Sequence, residues 1–374
     1  MPGPDDGAAA FLSIDLTAIA ANHRLLAARL GGADCAGVVK ADAYGLGVAA
    51  VAPALARAGC RTFFVATLDE GIELRELLAR AEIYVFNGLA AGGADAFAAH
   101  ALRPVLNSLG EIDAWAALGR RRGPLAAALH IDTGMARLGL PPAEVAALAE
   151  DRGRLDDVAV VLVLSHLACA DEAAHPMNAR QLAAFREAAR RLAPAAARLS
   201  LAASSGIFLG ADYHFDLARP GAALYGLRPQ PDAPNPLAPV VRLQGKILQV
   251  RDVDSGMTVG YGATHRFTRP ARLATVGAGY ADGYLRSLSN RGSAHIGAER
   301  VPVVGRVSMD LITLDVTAIA PDRVAPGVLV DLIGPHNPVD ALADEAGTIG
   351  YEILTSLGRR YRRRYVGAAA PAAG

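Results

Sequence analysis

Short apolar runs alternate with alanine-rich amphipathic stretches through the first two-thirds of the chain. The runs lie at 36–40, 63–67, 83–87, 104–107, 126–132, 158–166, 199–205 and 217–225. Most are β-branched or aromatic, and a polar residue or glycine follows, as expected of buried strands. Between them, 48–58, 69–79 and 177–192 carry apolar residues at helical spacing. Strand–helix alternation implies parallel βαβ units. Eight repeats predict an α/β fold of the (β/α)8, TIM-barrel type rather than a doubly wound sheet. Lys40, Asp132, His166, Ser204 and Ser205 fall at the C-terminal ends of these runs, on the rim where such barrels carry their active sites. Arg219 lies near the start of the last run and fits that rule less well.

The pattern breaks at 228–240, RPQPDAPNPLAPV, where five prolines exclude a helix or a central strand. Beyond it the runs 240–250, 257–261, 273–276, 301–304, 311–316 and 328–333 are separated by turn signals. Helical patterns return only at 339–347 and 351–360. The expected organisation is a barrel over 1–228, a proline-rich linker over 229–239 and a mostly β domain over 240–374.

Composition narrows the function classes. Hydrophobic residues make up 52% of the 374, and 37 basic residues balance 37 acidic ones. A net charge of zero argues against a nucleic-acid binder. The longest apolar stretch, 158–164, is far shorter than the roughly 20 residues that span a bilayer. The start of the chain carries Asp5 and Asp6 and no basic residue, so no secretory signal is expected. Cys35, Cys60 and Cys169 form no CxxC pair, and no acid/His/Cys cluster has metal-ligand spacing. A protein of a reducing cytoplasm is expected, with no metal, nucleic acid or membrane partner.

One division of the charge count is informative. Of the 37 basic residues, 35 are arginine, and only Lys40 and Lys246 carry a primary amine. Lys246 sits in the strand-like VRLQGKILQV with apolar neighbours on alternate sides and no aromatic companion in the segment, and it reads as a solvent-facing strand residue. Lys40 ends an apolar strand and precedes ADAYGLG. At a barrel mouth, desolvation lowers an amine's pKa, which is what Schiff-base chemistry requires. The bland alternative is a surface lysine at a strand end. Gly277, Gly279 and Gly283 miss the dinucleotide-loop spacing by one place, and no Walker A sequence occurs. The arginines at 359, 360, 362, 363 and 364 read as a solvated or partner-facing helix end.

VVKADAYGLG at 38–47 resembles the pyridoxal-phosphate lysine motif of alanine racemases. The likeness continues in order through IDTGMARLG (131–139), SHLACAD (165–171), ARPGAALYG (218–226), VGYGATHRF (259–267), GYADGY (279–284), GRVSMD (305–310) and GTIGYEIL (347–354). The resemblance implies a barrel plus a β domain, pyridoxal 5'-phosphate as cofactor, and interconversion of L- and D-alanine in a homodimer with shared active sites. It implies that Lys40 bonds the cofactor and serves as the base on one substrate face. Tyr261, from the partner subunit, serves on the other. His166 links that tyrosine to Arg219, which faces the pyridine nitrogen. The phosphate falls to Tyr44, Ser205, Tyr351 and the N–H groups of Gly206 and Gly221. The substrate carboxylate falls to Arg137 and the Met309 N–H. Tyr280 and Tyr351 narrow the approach, with Asp171, Arg286 and Arg306 further out.

Two positions depart from the family. His130 stands where many members have a lysine that is carbamylated and braces Arg137, and a histidine forms no carbamate. Either His130 holds Arg137 differently or a small anion takes the carbamate's place. Ser204-Ser205 stands where Asn-Ser is common, which leaves the phosphate ligand open between the two serines. Racemisation of serine, broad specificity, a decarboxylase of the same fold and a non-catalytic cofactor carrier remain as alternatives.

Overall fold

Seven parallel strands follow one another in chain order: Gly37–Val38, Thr62–Val65, Glu82–Val85, Arg103–Leu106, Leu125–His130, Val158–Leu164 and Arg198–Ser200. The ladder closes through Leu217–Ala218. That strand pairs in parallel with Asp34–Cys35 on one side, and Arg219 bridges Ala203 on the other. The expected eight-strand barrel is therefore present in this computed structural model, which describes residues 7–90 and 92–367. Asp5 and Asp6 lie outside the described residues. The strands are buried, as parallel strands covered by helices must be; Phe63, Phe64, Ile83, Tyr84, Val105, Leu129, Leu162 and Val163 are all fully enclosed. The amphipathic stretches form helices Val48–Arg57, Leu68–Leu77 and Pro176–Leu192.

The last run ends sooner than its apolar composition suggests. Only Leu217–Ala218 is strand, and Ala222–Tyr225 is a 3-10 helix entered through Gly221. Arg219 therefore stands at a strand's C-terminal end, on the rim, which corrects the sequence expectation. The reason is local: Pro220 has no N–H with which to continue a ladder.

A second compact unit gathers Met1–Ala18, Tyr44–Leu46 and Pro239–Gly374, and the barrel unit comprises Ile19–Ala43 and Gly47–Ala238. Its sheet runs Glu299–Pro302, Ser293–Ile296, Leu329–Ile333, Val241–Val253, Ala10–Asp15 and Arg362–Val366. The 13-residue strand Val241–Val253 pairs through its later part with Ala271–Val276, which also pairs with Ile312–Asp315. Gly245 is needed there, because a Cβ would meet Val276 Cγ1 at 2.5 Å. The N-terminal strand Ala10–Asp15, which no sequence signal singled out, is antiparallel to Val241–Val253 and parallel to Arg362–Val366.

Two sequence readings are corrected in this unit. The C-terminal arginines do not end a helix: Arg359 and Arg360 lie in a turn and Arg362–Arg364 on an edge strand, with Arg362 paired with Phe11 and Arg364 with Ser13. Charged side chains on an edge strand discourage pairing with another chain. Lys246 has an aromatic companion after all, with Nζ 5.3 Å from the Phe11 ring centroid. That ring comes from a strand more than 200 residues earlier, so local sequence could not reveal it. Among the described residues, no helix is long and apolar enough to cross a membrane, and no group of three or more His, Cys, Asp or Glu could hold a metal ion. The three cysteines are unpaired thiols.

Candidate active site

Lys40 lies one residue past the end of strand Gly37–Val38, after Val39, and begins the segment Lys40–Gly45. It is half-buried, with Nζ 5.9 Å from the Phe86 ring centroid. Phe86 stacks on Phe64 at 5.0 Å, and the Arg219 guanidinium lies 6.0 Å from the Phe64 ring. Two cations thus stand on one aromatic pair, at the outer limit of cation–π attraction. Burial pulls the Lys40 amine below its ordinary value and Arg137 pulls it further, while Glu70 acts the other way. Ala41, Asp42, Ala43 and Tyr44 all have φ between 53° and 57°. L-residues lose about 1–2 kcal/mol each in that left-handed conformation, so the segment following Lys40 needs external support.

Arg219 is almost fully enclosed. Its guanidinium donates to Ser200 Oγ and Ser165 O, and among the described residues no carboxylate forms an ion pair with it. Burial lowers its pKa to about 9, which still leaves it cationic at neutral pH. A buried charge without a counter-ion is costly, and a ligand that accepts a hydrogen bond relieves that cost.

His166 follows Val158–Leu164 and is fixed through its backbone. Gln181 Nε2 donates to His166 O at 2.8 Å and to Thr133 Oγ1 at 3.1 Å, and Gln181 Oε1 accepts Ala168 N–H at 2.8 Å. Burial takes the His166 ring down to about 3, helped by Arg219, Arg137, His130 and Lys40, so the ring is neutral at pH 7. His130 ends Leu125–His130. Its Nδ1 lies 2.8 Å from Asn107 Oδ1, while Asn107 Nδ2 donates to Phe86 O and Val105 O. That arrangement makes Oδ1 the acceptor, so Nδ1 carries the proton and Nε2 a lone pair. Burial, then Arg219, takes this ring down to about 4.

Arg137 is exposed on the loop 131–140. Asp132 Oδ1 accepts N–H groups from Gly134, Met135 and Ala136 at 2.9–3.1 Å, and Leu140 N donates to His130 O at 2.7 Å. Gly139 packs on the imidazole: a Cβ there would lie 3.1 Å from His130 Cγ and Cδ2. The rim so assembled holds Lys40, Arg137 and Arg219, two neutral histidines, and an aspartate already committed to backbone N–H groups. Its net charge is positive, which suits an anionic ligand.

The two serines separate cleanly. Ser204 Oγ is buried and accepts N–H groups from both Gly221 and Ala223 at 3.1 Å. Ser205 is half-buried and opens the 3-10 helix Ser205–Phe208, with Gly206 next. Ser204 is thus structural here, Ser205 has the available hydroxyl, and the Gly221 N–H expected to face a ligand is engaged by Ser204.

The remaining candidates lie on the second unit. Tyr44 is buried and its ring centroid is 6.0 Å from that of Tyr351. Burial and Tyr351 push its hydroxyl up, so it is a donor. Gly45 permits this contact, because a Cβ would lie 2.5 Å from Leu354 O. Tyr280 and Met309 are joined by their backbones, with Tyr280 N donating to Ser308 O at 3.0 Å and Ala281 N to Met309 O at 2.9 Å. Tyr261 is 71% exposed. A Cβ at the neighbouring Gly262 would meet Arg306 Nη1 at 3.2 Å, so a guanidinium stands beside the Tyr261 turn. Asn107, Glu70 and Gln181 escaped the sequence reading. Only Asn107 carried a signal, as the polar residue that ends a run.

Comparison with known proteins matches these features to one family. Residues 14–229 match the description "Alanine racemase, N-terminal domain" and 240–365 match "Alanine racemase, C-terminal domain". The chain is 54% identical over 368 residues, 98% of each chain, to "Alanine racemase" of Rhodospirillum rubrum. It is 52% identical to "Alanine racemase, catabolic" of Mesorhizobium japonicum, over 98% of this chain and 96% of that one. The crystal structure of the alanine racemase from Bartonella henselae, described as having covalently bound pyridoxal phosphate, superposes with a TM-score of 0.93. It is 42% identical and covers 96% of this chain and 100% of its own. The biosynthetic alanine racemase from Pseudomonas aeruginosa superposes with a TM-score of 0.88 at 34% identity, covering 96% and 99%.

Proposed function

The chain belongs to the alanine racemase family, and on that premise we propose that it interconverts L- and D-alanine with pyridoxal 5'-phosphate bonded to Lys40. The observation that carries the proposal is Arg219, a buried guanidinium with no carboxylate partner among the described residues, on the same rim as a half-buried lysine of lowered pKa. The residues fit the cofactor. Arg219 would donate to its ring nitrogen as a permanently protonated group, and Ser205, the Gly206 N–H, Tyr44 and Tyr351 would supply hydroxyl and amide donors for its phosphate. The Gly221 N–H serves there only if it leaves Ser204. When bound, the cofactor supplies the electron sink that acidifies the substrate's α-proton.

The chain's own groups do the rest. Arg137 and the Met309 N–H hold the substrate carboxylate, with the loop 131–140 braced by His130. Lys40 Nζ, whose hold on a proton is weakened by burial and by Arg137, takes or returns the α-proton on one face. Inversion needs a second base on the opposite face, and Tyr261 of the partner subunit serves there. Its exposure on the single chain suits completion of the site in a homodimer. Neutral His166 relays hydrogen bonding between that tyrosine and Arg219. Tyr280 and Tyr351 narrow the approach, which favours a methyl-sized side chain, although one methylene discriminates by only about 1–3 kcal/mol. The enzyme acts in a reducing cytoplasm and supplies D-alanine for peptidoglycan or L-alanine for breakdown.

The test is solvent-isotope incorporation. Protein supplied with pyridoxal phosphate in heavy water and given L-alanine, L-serine and L-lysine separately should yield inverted, Cα-deuterated alanine fastest. Label without inversion, or faster turnover of serine or lysine, overturns the assignment. Borohydride should fix the cofactor on Lys40 and not on Lys246. Tyr261→Phe should slow inversion by roughly 100-fold or more, and a wild-type rate removes the second base.

A further inference from the structure

The left-handed turn at 41–44 receives a carboxylate from a distant helix at its first residue. Glu70 is the third residue of helix Leu68–Leu77 and completes a capping box with Thr67. Its Oε2 accepts Ala66 N–H at 2.7 Å and Thr67 N–H at 3.2 Å. Its Oε1 accepts Ala41 N–H at 2.6 Å. The last contact has no part in capping. It ties the helix to the residue after Lys40, across 29 positions of sequence. Local bonds add Ala43 N–H to Val39 O, Gly47 N–H to Asp42 O, and Val48 N–H to Asp42 Oδ1 at 2.7 Å, while the far end of the turn packs Tyr44 on Tyr351 and Arg363 donates to Gly45 O at 2.7 Å. On the other side of Lys40 the backbone is already fixed, with Val38 registered on Phe64 and Val39 N–H donating to Phe64 O.

We propose that Glu70 is a positioning residue for Lys40: by holding the Ala41 N–H it keeps the left-handed turn in place and sets where Lys40 Nζ stands. The proposal rests on the reading of Lys40 as the reactive amine. A carboxylate suits the task better than a neutral acceptor, since a charge-assisted bond is shorter and stronger. It also adds a negative charge near an amine whose pKa burial and Arg137 lower, and so opposes their effect.

Three variants separate the geometric part from the charge. Glu70→Ala removes both, Glu70→Gln retains an acceptor without charge, and Glu70→Asp retains the charge with a shorter reach. The expected result for Glu70→Ala is kcat lower by roughly 100-fold, the scale of misplacing a reacting group by about 1 Å, with KM changed much less. Glu70→Gln should retain most of kcat, with the acidic limb of its kcat/KM profile moved to lower pH as Lys40 loses its supporting charge. Hydrogen–deuterium exchange should show faster amide exchange in the peptide covering 41–44 in Glu70→Ala than in wild type, with no dependence on catalysis. Wild-type kcat and pH profile in Glu70→Ala overturn the proposal, as does unchanged exchange at 41–44. If Glu70→Ala fails to fold, an unmoved acidic limb in Glu70→Gln with normal exchange overturns it. An inactive wild type that still shows faster exchange in Glu70→Ala overturns the reading of Lys40 rather than the pinning of the turn.

Discussion

At the residue scale, adjacent serines carry different work. Ser204 Oγ satisfies two buried N–H groups, while Ser205 presents its hydroxyl from the mouth of a 3-10 helix. Removing a buried acceptor strands its donors, at about 1–3 kcal/mol. Ser204→Ala is therefore expected to lower the melting temperature of the cofactor-free protein, and Ser205→Ala to leave it within a degree or so of wild type. The ranking should reverse for pyridoxal phosphate, with Ser205→Ala losing roughly tenfold in affinity from one charge-assisted bond, as measured by titration of the cofactor-free protein. Equal melting losses in both variants would contradict the division. The sequence left this choice open because both residues are serine. What separates them is the position of the N–H groups of Gly221 and Ala223, 17 and 19 residues on. The two histidines show the same limit: both lie at strand ends by pattern, but their neutrality follows from burial among arginines. A ring held neutral to about 4 in the folded state titrates at its ordinary value when unfolded. Its contribution to stability is therefore full above about pH 6.5 and fades as pH falls toward 4. His130→Gln should narrow the loss of urea midpoint between pH 7 and pH 5, and an unchanged loss would rule His130 out as its source.

At the scale of elements, one side chain reinforces the backbone bonds between the GYADGY turn and the segment 308–310. Arg360 Nε lies 2.9 Å from Asp282 Oδ1 and its Nη1 lies 2.7 Å from Asp310 Oδ1. Asp282 Oδ2 in turn accepts the Gly279 N–H at 2.9 Å, and Gly279 lacks a Cβ that would stand 2.4 Å from Met309 O. The clamp supports the spacing between Tyr280 and Met309, which in the proposed function enclose substrate and do not move the proton. Arg360→Met is expected to raise KM for alanine by roughly tenfold with kcat changed much less, the pattern of lost uniform binding. A fall in kcat at constant KM would place the clamp elsewhere in the reaction. GYADGY was visible as a motif, but its partner arginine belonged to a run that read as a solvated or partner-facing helix end. Helical spacing was the only local clue for that run; pairing with Ala10–Asp15 overrode it at Arg362–Arg364, and Arg360 lies in the turn before that strand.

At the scale of the whole molecule, five barrel strands begin on polar residues that form one network at the end opposite the candidate site. Glu82 accepts from Arg103 at 3.0 Å, from Arg198 and from Thr62 Oγ1 at 3.1 Å, and Arg198 also reaches Asp34 at 3.2 Å. Burial pushes the Glu82 carboxyl up, and Arg103 and Arg198 more than reverse it, holding it below the usual carboxylate range. The stabilisation is therefore complete above about pH 4.5 and is lost as pH falls through the lower folded value. Glu82→Gln should be less stable by on the order of 1 kcal/mol at pH 7, with the gap closing in acid denaturation below pH 4. A gap that persists there would show that geometry, not charge, is lost.

The alternation of eight runs, the proline break and the β-rich remainder were legible without coordinates, because strand and helix periods are local properties of the chain. The count of two lysines already singled out Lys40. Tertiary structure alone decided the rest. It left Arg219 buried without a counter-ion among the described residues, set four residues after Lys40 in a left-handed turn that Glu70 meets at Ala41, and drew the N-terminal strand into the second unit's sheet. Each of these depends on which distant backbone and side-chain groups meet once the chain is folded, and no local spacing encodes those meetings.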